Sequence, residues 1–385
     1  MAEEYTALLK NQTWELVPSP QHAQYSIFLL VYVNDIIITG SPTAPLSTLL
    51  ESLQKEFAIK DLGELHYFLG IELKRTPDGI LLHQTKYAAD LLARAKMQDA
   101  KPVTTPCVAG SDIPSSHCGE LFSDPYLYRS TVGALQYLTL TRPDIAFAVN
   151  TACQFMHAPT EVHWQFVKRI LRFVRGTQHH GMLFTRSRNF HLHAFSDAGW
   201  AEDHDTRRSV GGFGIFLGSN LISWSSRKQR TVARSSTEAE FKSLADTTAQ
   251  LIWIEALLRD LGISWQGPPV LWCDNISAIY LTGNPIFHAR TKHVEIDYHF
   301  VRERIAKNQL HVQYISTTDQ PADIFTKGLS TARFRLLQSK LTVCSATSAC
   351  RGVSKETISC PDSATIFPPL AHQARSILSK EKRAR

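Results

Sequence analysis

Apolar and polar positions alternate along this chain in two rhythms, and the change falls near Phe190. Before it, helical spacing dominates. Leu46, Leu49, Leu50, Leu53 and Phe57 recur at helical intervals, and further helices are predicted over Tyr87–Ala95, Tyr126–Leu138, Pro143–Phe155 and Val162–Arg175, the last stopping at Gly176. A shorter helix is predicted over Glu3–Leu9. Two hairpins interrupt these helices. Ile27–Val33 and Ile36–Ile38 flank the polar pair Asn34-Asp35, which reads as a tip. Leu65–Leu73 and Gly79–Gln84 flank Thr76-Pro-Asp-Gly79, whose turn chemistry is strong. Pro102, Pro106 and the Gly/Ser/Asp-rich stretch 109–119 predict a linker.

From Phe190 the rhythm becomes that of strands. Phe190–Phe195, Gly212–Leu217 and Leu221–Ser225 are short, β-rich and separated by turns, as in an antiparallel meander. A long helix follows from about Thr237 to Leu261, ending at Gly262. Then come a buried-type strand Val270–Cys273, a short helix to Leu281, a helix Val294–Ala306, a strand His311–Ile315, and Pro321 where a last helix starts. This order predicts a mixed α/β layer of about 140 residues. The stretch from Thr342, ending in Lys380-Glu-Lys-Arg-Ala-Arg385, shows little periodicity and is expected to be mostly unstructured.

Composition narrows the class. A hydrophobic fraction of 43% and a charged fraction of 20% argue against global disorder. The net charge of +6 suits a nucleic-acid partner without requiring one. Seven cysteines without a C-x-x-C pair predict free thiols in a reducing compartment. The spacing of Cys344, Cys350 and Cys360 matches no zinc finger. No secretory signal is evident, and the longest apolar run, Ile27–Val33, is far short of the roughly 20 residues of a membrane span. A cytoplasmic or nuclear chain with no membrane partner is expected.

Four acidic residues then stand out. Asp197 and Asp274 close apolar runs that read as strands, whereas Glu240 and Asp323 open stretches that read as helices. Strand ends and helix starts share one edge of an α/β layer, so the four carboxylates can converge. Such crowding needs cations. Hydrolysis of a phosphodiester uses two divalent ions about 4 Å apart, one ionising the attacking water and one stabilising the leaving oxygen. Three or four carboxylates suit Mg²⁺ or Mn²⁺, which prefer oxygen ligands. Each residue also has a purely structural reading. Glu240 follows Thr237 by three residues, a capping-box spacing. Asp274 can cap the next helix beside Asn275, Asp323 can answer a helix dipole, and Asp197 can be a turn residue.

Arg207, Arg208, Arg227, Lys228 and Arg230 fall in the meander's loops, where they can track phosphates, and Lys292 and His293 precede a helix. Trp200, Trp224 and Trp272 read as packing residues rather than stacking platforms.

With these residues in view, positions 194–328 resemble the ribonuclease H domain of copia-type LTR retrotransposon Pol polyproteins. The likeness is carried by Phe-Ser-Asp-Ala (195–198), Leu-Ile-Ser-Trp-Ser-Ser-Arg-Lys-Gln (221–229), Val-Ala-Arg-Ser-Ser-Thr-Glu-Ala-Glu-Phe (232–241), Arg-Thr-Lys-His-Val-Glu-Ile (290–296) and Ala-Asp-Ile-Phe-Thr-Lys (322–327). The resemblance implies an RNA–DNA hybrid as substrate. It makes Asp197, Glu240, Asp274 and Asp323 the catalytic metal ligands, with Glu238 only a neighbour. Upstream, Val31-Tyr-Val-Asn-Asp35, Phe68-Leu-Gly-Ile-Glu-Leu73 and Arg142-Pro-Asp-Ile145 are similar to the reverse transcriptase and connection of the same polyproteins.

Two departures bear on polymerase chemistry. Asn34 stands where the family has a catalytic aspartate beside Asp35, and a neutral amide holds a cation less well. Only Gln21–Ser26 separate Pro20 from that strand, too few residues for the fingers and half-palm the family places there. Polymerase activity is therefore expected to be lost, and the chain reads as a truncated element. The implied organisation is a reverse-transcriptase remnant at 1–20, partial palm and thumb at 21–105, connection at 106–188, ribonuclease H at 189–330 and a mostly unstructured tail at 331–385. The alternative is a catalytically silent relic or nucleic-acid-binding module.

Overall fold

The computed structural model describes residues 26–33, 35–41, 45–57, 59–110, 114–115, 118–187, 189–283 and 295–346. The predicted helix at Glu3–Leu9, Asn34, Lys292, His293, Cys350, Cys360 and the basic end lie outside the described residues.

Contacts divide the chain after Phe68. In the first unit, β1 (Ile27–Tyr32) and β2 (Asp35–Gly40) form the expected antiparallel hairpin, in register from Ile27↔Gly40 to Tyr32↔Asp35. Asp35 is thus the first residue of β2, not a tip residue. A helix α1 (Leu46–Glu56) and a two-residue strand β3 (Tyr67–Phe68) complete this unit.

The second unit holds two sheets. One continues through β4 (Ile71–Thr76), β5 (Gly79–His83), β6 (His180–Thr185) and β12 (Val343–Ser345), each antiparallel to the next. Neither β6 nor β12 is predicted from sequence: one follows a helix stop within four residues and the other is three residues long, too short to show a period of two. β12 and the helix α9 (Thr331–Lys340) correct the expected tail, since residues 331–346 are ordered and α9 contributes buried Phe334 and Leu337 to the core. The expected linker is corrected in part too. Thr105, Pro106 and Cys107 are buried, and Arg169 donates to the Thr105 hydroxyl at 3.0 Å.

Helices α2 (Thr85–Arg94), α3 (Pro125–Leu138), α4 (Ala146–Cys153) and α5 (Glu161–Gly176) pack as one apolar layer. Their starts have clear causes. Asp124 accepts the Leu127 N–H ahead of Pro125, and Thr160 with His163 closes a capping box. The predicted helix from Pro143 begins instead as a 3₁₀ turn, Pro143–Ile145. There the Arg142 guanidinium meets both carboxylate oxygens of Asp144 at 2.9 Å and reaches the Thr177 carbonyl at 2.8 Å.

The other sheet has the order β11-β10-β7-β8-β9. β7 (Leu192–Gly199), β8 (Val210–Leu217) and β9 (Asn220–Lys228) are the antiparallel meander; β10 (Val270–Cys273) and β11 (His311–Tyr314) run parallel to β7. Every residue of β7 is buried, as a central strand covered on both faces requires. Phe195 joins Phe216 and Trp272 on one face, while Leu192 and Ala194 pack with Phe241 and Leu244 of α6 (Ser236–Asp260) on the other. Each fully buried side chain of this size contributes about 1.5–3 kcal/mol. Helices α7 (Ile276–Gly283) and α8 (Glu295–Ala306) extend the second layer, and a 3₁₀ turn, Pro321–Phe325, replaces the predicted final helix.

Candidate metal centre

Asp197 lies inside β7, opposite Gly212 of β8, rather than at a strand-end turn. Glu240 is on the first turns of α6, Asp274 directly follows β10, and Asp323 is the middle residue of the 3₁₀ turn. These elements meet at one edge of the sheet. Oxygens of Asp197, Asp274 and Asp323 lie within 4.8 Å of one another, and so do ligand atoms of Glu240, Cys273 and Asp274. Asp274 is common to both groups.

In three cases a neighbour performs the structural task that the sequence left open. Ser235 caps α6 by accepting the Glu238 N–H at 3.2 Å, and Glu238 accepts the Arg234 N–H at 2.9 Å. Thr237 and Glu240 form no capping box. Asn275 accepts the Ala278 N–H at 2.9 Å at the start of α7, leaving Asp274 to accept the Thr317 hydroxyl at 2.8 Å. The Gln320 side chain accepts from the Ala322 N–H at 3.2 Å and donates to the Ser196 carbonyl at 3.0 Å, which ties the turn bearing Asp323 to β7. The acidic side chains are thereby free for the cluster.

Electrostatics follow from this crowding. Burial raises the Asp197 carboxyl above its usual range; Asp323 and Asp274 add to the rise, while Lys327 and the Thr326 hydroxyl oppose it. Glu240 is pushed up to about 10 by burial, then by Asp197 and Asp274. Its Oε2 is buried without a hydrogen-bond partner. An orphaned carboxylate oxygen beside two more carboxylates is the environment a hard divalent cation satisfies, and Asp197, Glu240, Asp274 and Asp323 fit that group. Cys273 fits less well: burial, followed by Glu240, holds its thiol protonated far above the normal range, and sulfur is a poor ligand for Mg²⁺.

Three basic or hydroxyl groups complete the site and went unassigned in the sequence. Lys327 Nζ lies 2.9 Å from Asp323 Oδ1 and 3.4 Å from Asp197 Oδ2. Arg333 Nη2 lies 3.1 Å from Asp323 Oδ2, and the Thr326 hydroxyl donates to Asp197 Oδ2. Lys327 follows Asp323 by four residues in the same phrase, which was the available signal.

Arg207, Arg208, Arg227 and Arg230 are exposed. Lys228 instead pairs with the buried Asp203, so it is committed to the fold. Trp224 and Trp272 pack against the main core, as expected, but Trp200 is 51% exposed, with its indole N–H donated to the Ala233 carbonyl at 3.0 Å.

Residues 15–109 match the family model for "Reverse transcriptase (RNA-dependent DNA polymerase)". The chain is 48% identical over 333 residues to the "Retrovirus-related Pol polyprotein from transposon RE2" of Arabidopsis thaliana, covering 86% of this chain. It belongs to the retrovirus-related Pol polyproteins of copia-type transposons. This Pol chain spans 23% of the length of that relative. It is also 49% identical over 230 residues to the "Uncharacterized mitochondrial protein AtMg00810" of Arabidopsis thaliana, covering 95% of it. Among solved structures, LC11-RNase H1 isolated from compost aligns with 36% of the Pol chain and 93% of its own length, at 15% identity and a TM-score of 0.28.

Proposed function

We propose that residues 189–330 are a divalent-metal-dependent ribonuclease that hydrolyses the RNA strand of RNA–DNA hybrids, and that the chain does not polymerise DNA. One observation carries the nuclease reading: four carboxylates from four separate elements converge, with a buried Glu240 oxygen left unsatisfied. Asp197, Glu240, Asp274 and Asp323 would hold Mg²⁺ or Mn²⁺. When bound, the ions supply ionisation of the attacking water and stabilisation of the leaving oxygen. Thr317, Thr326 and Arg333 fix the carboxylate orientations. Exposed Arg207, Arg208, Arg227 and Arg230 offer sequence-independent phosphate contacts. The substrate class comes from the ribonuclease H-like phrases, and an A-form-like hybrid offers 2′-hydroxyls that DNA lacks. The polymerase reading is set aside because Asn34 replaces a carboxylate.

The test is cleavage of an end-labelled RNA–DNA hybrid by the purified chain in Mg²⁺ or Mn²⁺, beside Asp274→Asn. Wild type should cut the RNA strand, and the variant should be slower by about 100-fold or more. Equal cleavage by both would overturn the assignment. Salt-sensitive binding without any cleavage would favour a binding module.

A further inference from the structure

If Asp197, Asp274 and Asp323 hold an ion, one cation of the protein already stands in their midst. Oxygens of the three aspartates lie within 4.8 Å of one another, and Lys327 Nζ is 2.9 Å from one and 3.4 Å from another. That places the ammonium inside the ligand set. The opposite side of the cluster differs. Among the described residues, neither Glu240 nor Asp274 forms an ion pair with a lysine or arginine, and Glu240 Oε2 has no hydrogen-bond partner. Arg333 cannot take over the role of Lys327. Its guanidinium also donates to the Thr317 carbonyl at 2.6 Å, which holds it outside Asp323.

We propose that Lys327 is a built-in counter-ion that an incoming divalent cation must displace, so that the cluster fills in two unequal steps. The inference rests on the nuclease reading above. The Glu240–Asp274 side, which has no ammonium in ion-pair contact, fills first. The Asp197–Asp323 side fills only when Lys327 swings out, because its ammonium occupies the space beside Asp197 Oδ2 and Asp323 Oδ1 where the ion would sit, and it would repel that ion. The way out is open: the Lys327 side chain is 34% exposed, and its four-carbon stem is flexible. Lys327 is on this account a positioning residue. It keeps the metal-free carboxylates together, and it sets the ion concentration at which the second position is occupied.

The experiment is calorimetric titration of the full chain with Mn²⁺, with free Mn²⁺ followed by electron paramagnetic resonance, for wild type, Lys327→Met, Lys327→Gln and Lys327→Arg. Wild type should show a tight and a weak step. Lys327→Met should tighten the weak step about tenfold or more and change the tight step less, and Lys327→Arg should keep the weak step. Without Mn²⁺, Lys327→Met should melt below wild type and gain more on adding the ion. Should the Met variant not fold, Lys327→Gln carries the same expectation. Two ions bound by wild type, with an unchanged or weaker second step in the folded Met or Gln variant, would overturn the counter-ion role alone. No Mn²⁺ uptake by any variant would instead remove the nuclease reading and this inference with it.

Discussion

Glu238 and Glu240 lie two residues apart on α6 and are buried alike, at 7% and 6% exposure, yet their surroundings are opposite. Lys242 Nζ sits 2.6 Å from Glu238 Oε1, and the Arg234 N–H donates to its Oε2. The Glu240 Oε2 has no partner. Glu238→Gln should therefore cost stability, on the order of 1–3 kcal/mol, and spare the chemistry. Glu240→Gln should lower cleavage by about 100-fold or more while leaving the metal-free chain no less stable. Urea melts and hybrid cleavage on both variants check this. Equal losses of activity in two folded variants would contradict it.

Gly212 is the floor on which the Asp323 turn rests. A Cβ there would stand 2.6 Å from the Phe325 Cβ and 2.8 Å from the Thr326 Cγ2, closer than real contacts allow. Gly212→Ala should push the turn away and carry Asp323, Thr326 and Lys327 with it. Activity should fall about 10–100-fold at a stability cost of about 1–3 kcal/mol. Gly211→Ala is the control, because its nearest neighbours would be at 3.5 Å. Comparable kinetics for the two variants would argue against the strut.

Asp144 neutralises a fully buried arginine. Arg142 is 2% exposed and Asp144 1%, and Gln338 donates to Asp144 Oδ2 at 2.7 Å. Arg142 and neighbouring hydrogen bonds hold the Asp144 carboxyl below its ordinary range, outweighing the burial that would raise it. Asp144→Ala strands the guanidinium and should cost about 3–5 kcal/mol, seen as a large fall in the urea midpoint. Since neither residue of this pair is among the carboxylates of the cluster or their ion-pair partners, cleavage by the remaining folded fraction should change little.

His193 should make the chain acid-sensitive. Its ring stacks on Phe216 at 5.3 Å and meets Phe195 edge-on, and burial lowers its pKa to about 4 against an ordinary 6.5. Between those values the unfolded chain binds the extra proton and the folded chain does not. Stability must then fall as pH drops from about 6.5 to 4, by up to about 3 kcal/mol from this residue alone. His193→Phe should reduce that slope, as urea midpoints at pH 5 and 7.5 would register.

What could be read in advance depended on how local each feature is. The meander, the long helix and the turn at Thr76–Gly79 declare themselves by period and by Gly and Pro chemistry. All four acidic positions were legible because each lies near the start or the end of such an element. Their separation from mere capping was not, since it turned on whether Ser235, Asn275 and Gln320 take the backbone N–H groups instead. β6 and β12 carry no pattern of their own, because β12 becomes a strand only by pairing with β6 from far upstream. Lys228 belongs to the fold rather than to a loop surface because Asp203 happens to lie beneath it. Trp200 stays exposed because its indole reaches across to Ala233 instead of turning inward.

The Thr326 hydroxyl grips Asp197 from 129 residues further along the chain. As the ribosome releases this sequence, the meander emerges first and can pair within itself, since its contacts are short-range. β10, β11 and the segment from Gln320 to Lys327 come later and must dock by long-range contacts, the slow kind. A nascent chain, or one cut short before Pro321, would hold Asp197 and Glu240 without the partners that complete their charge. The order of synthesis thus makes the completed carboxylate cluster the last feature this domain acquires, and a chain that stalls within it holds only part of that cluster.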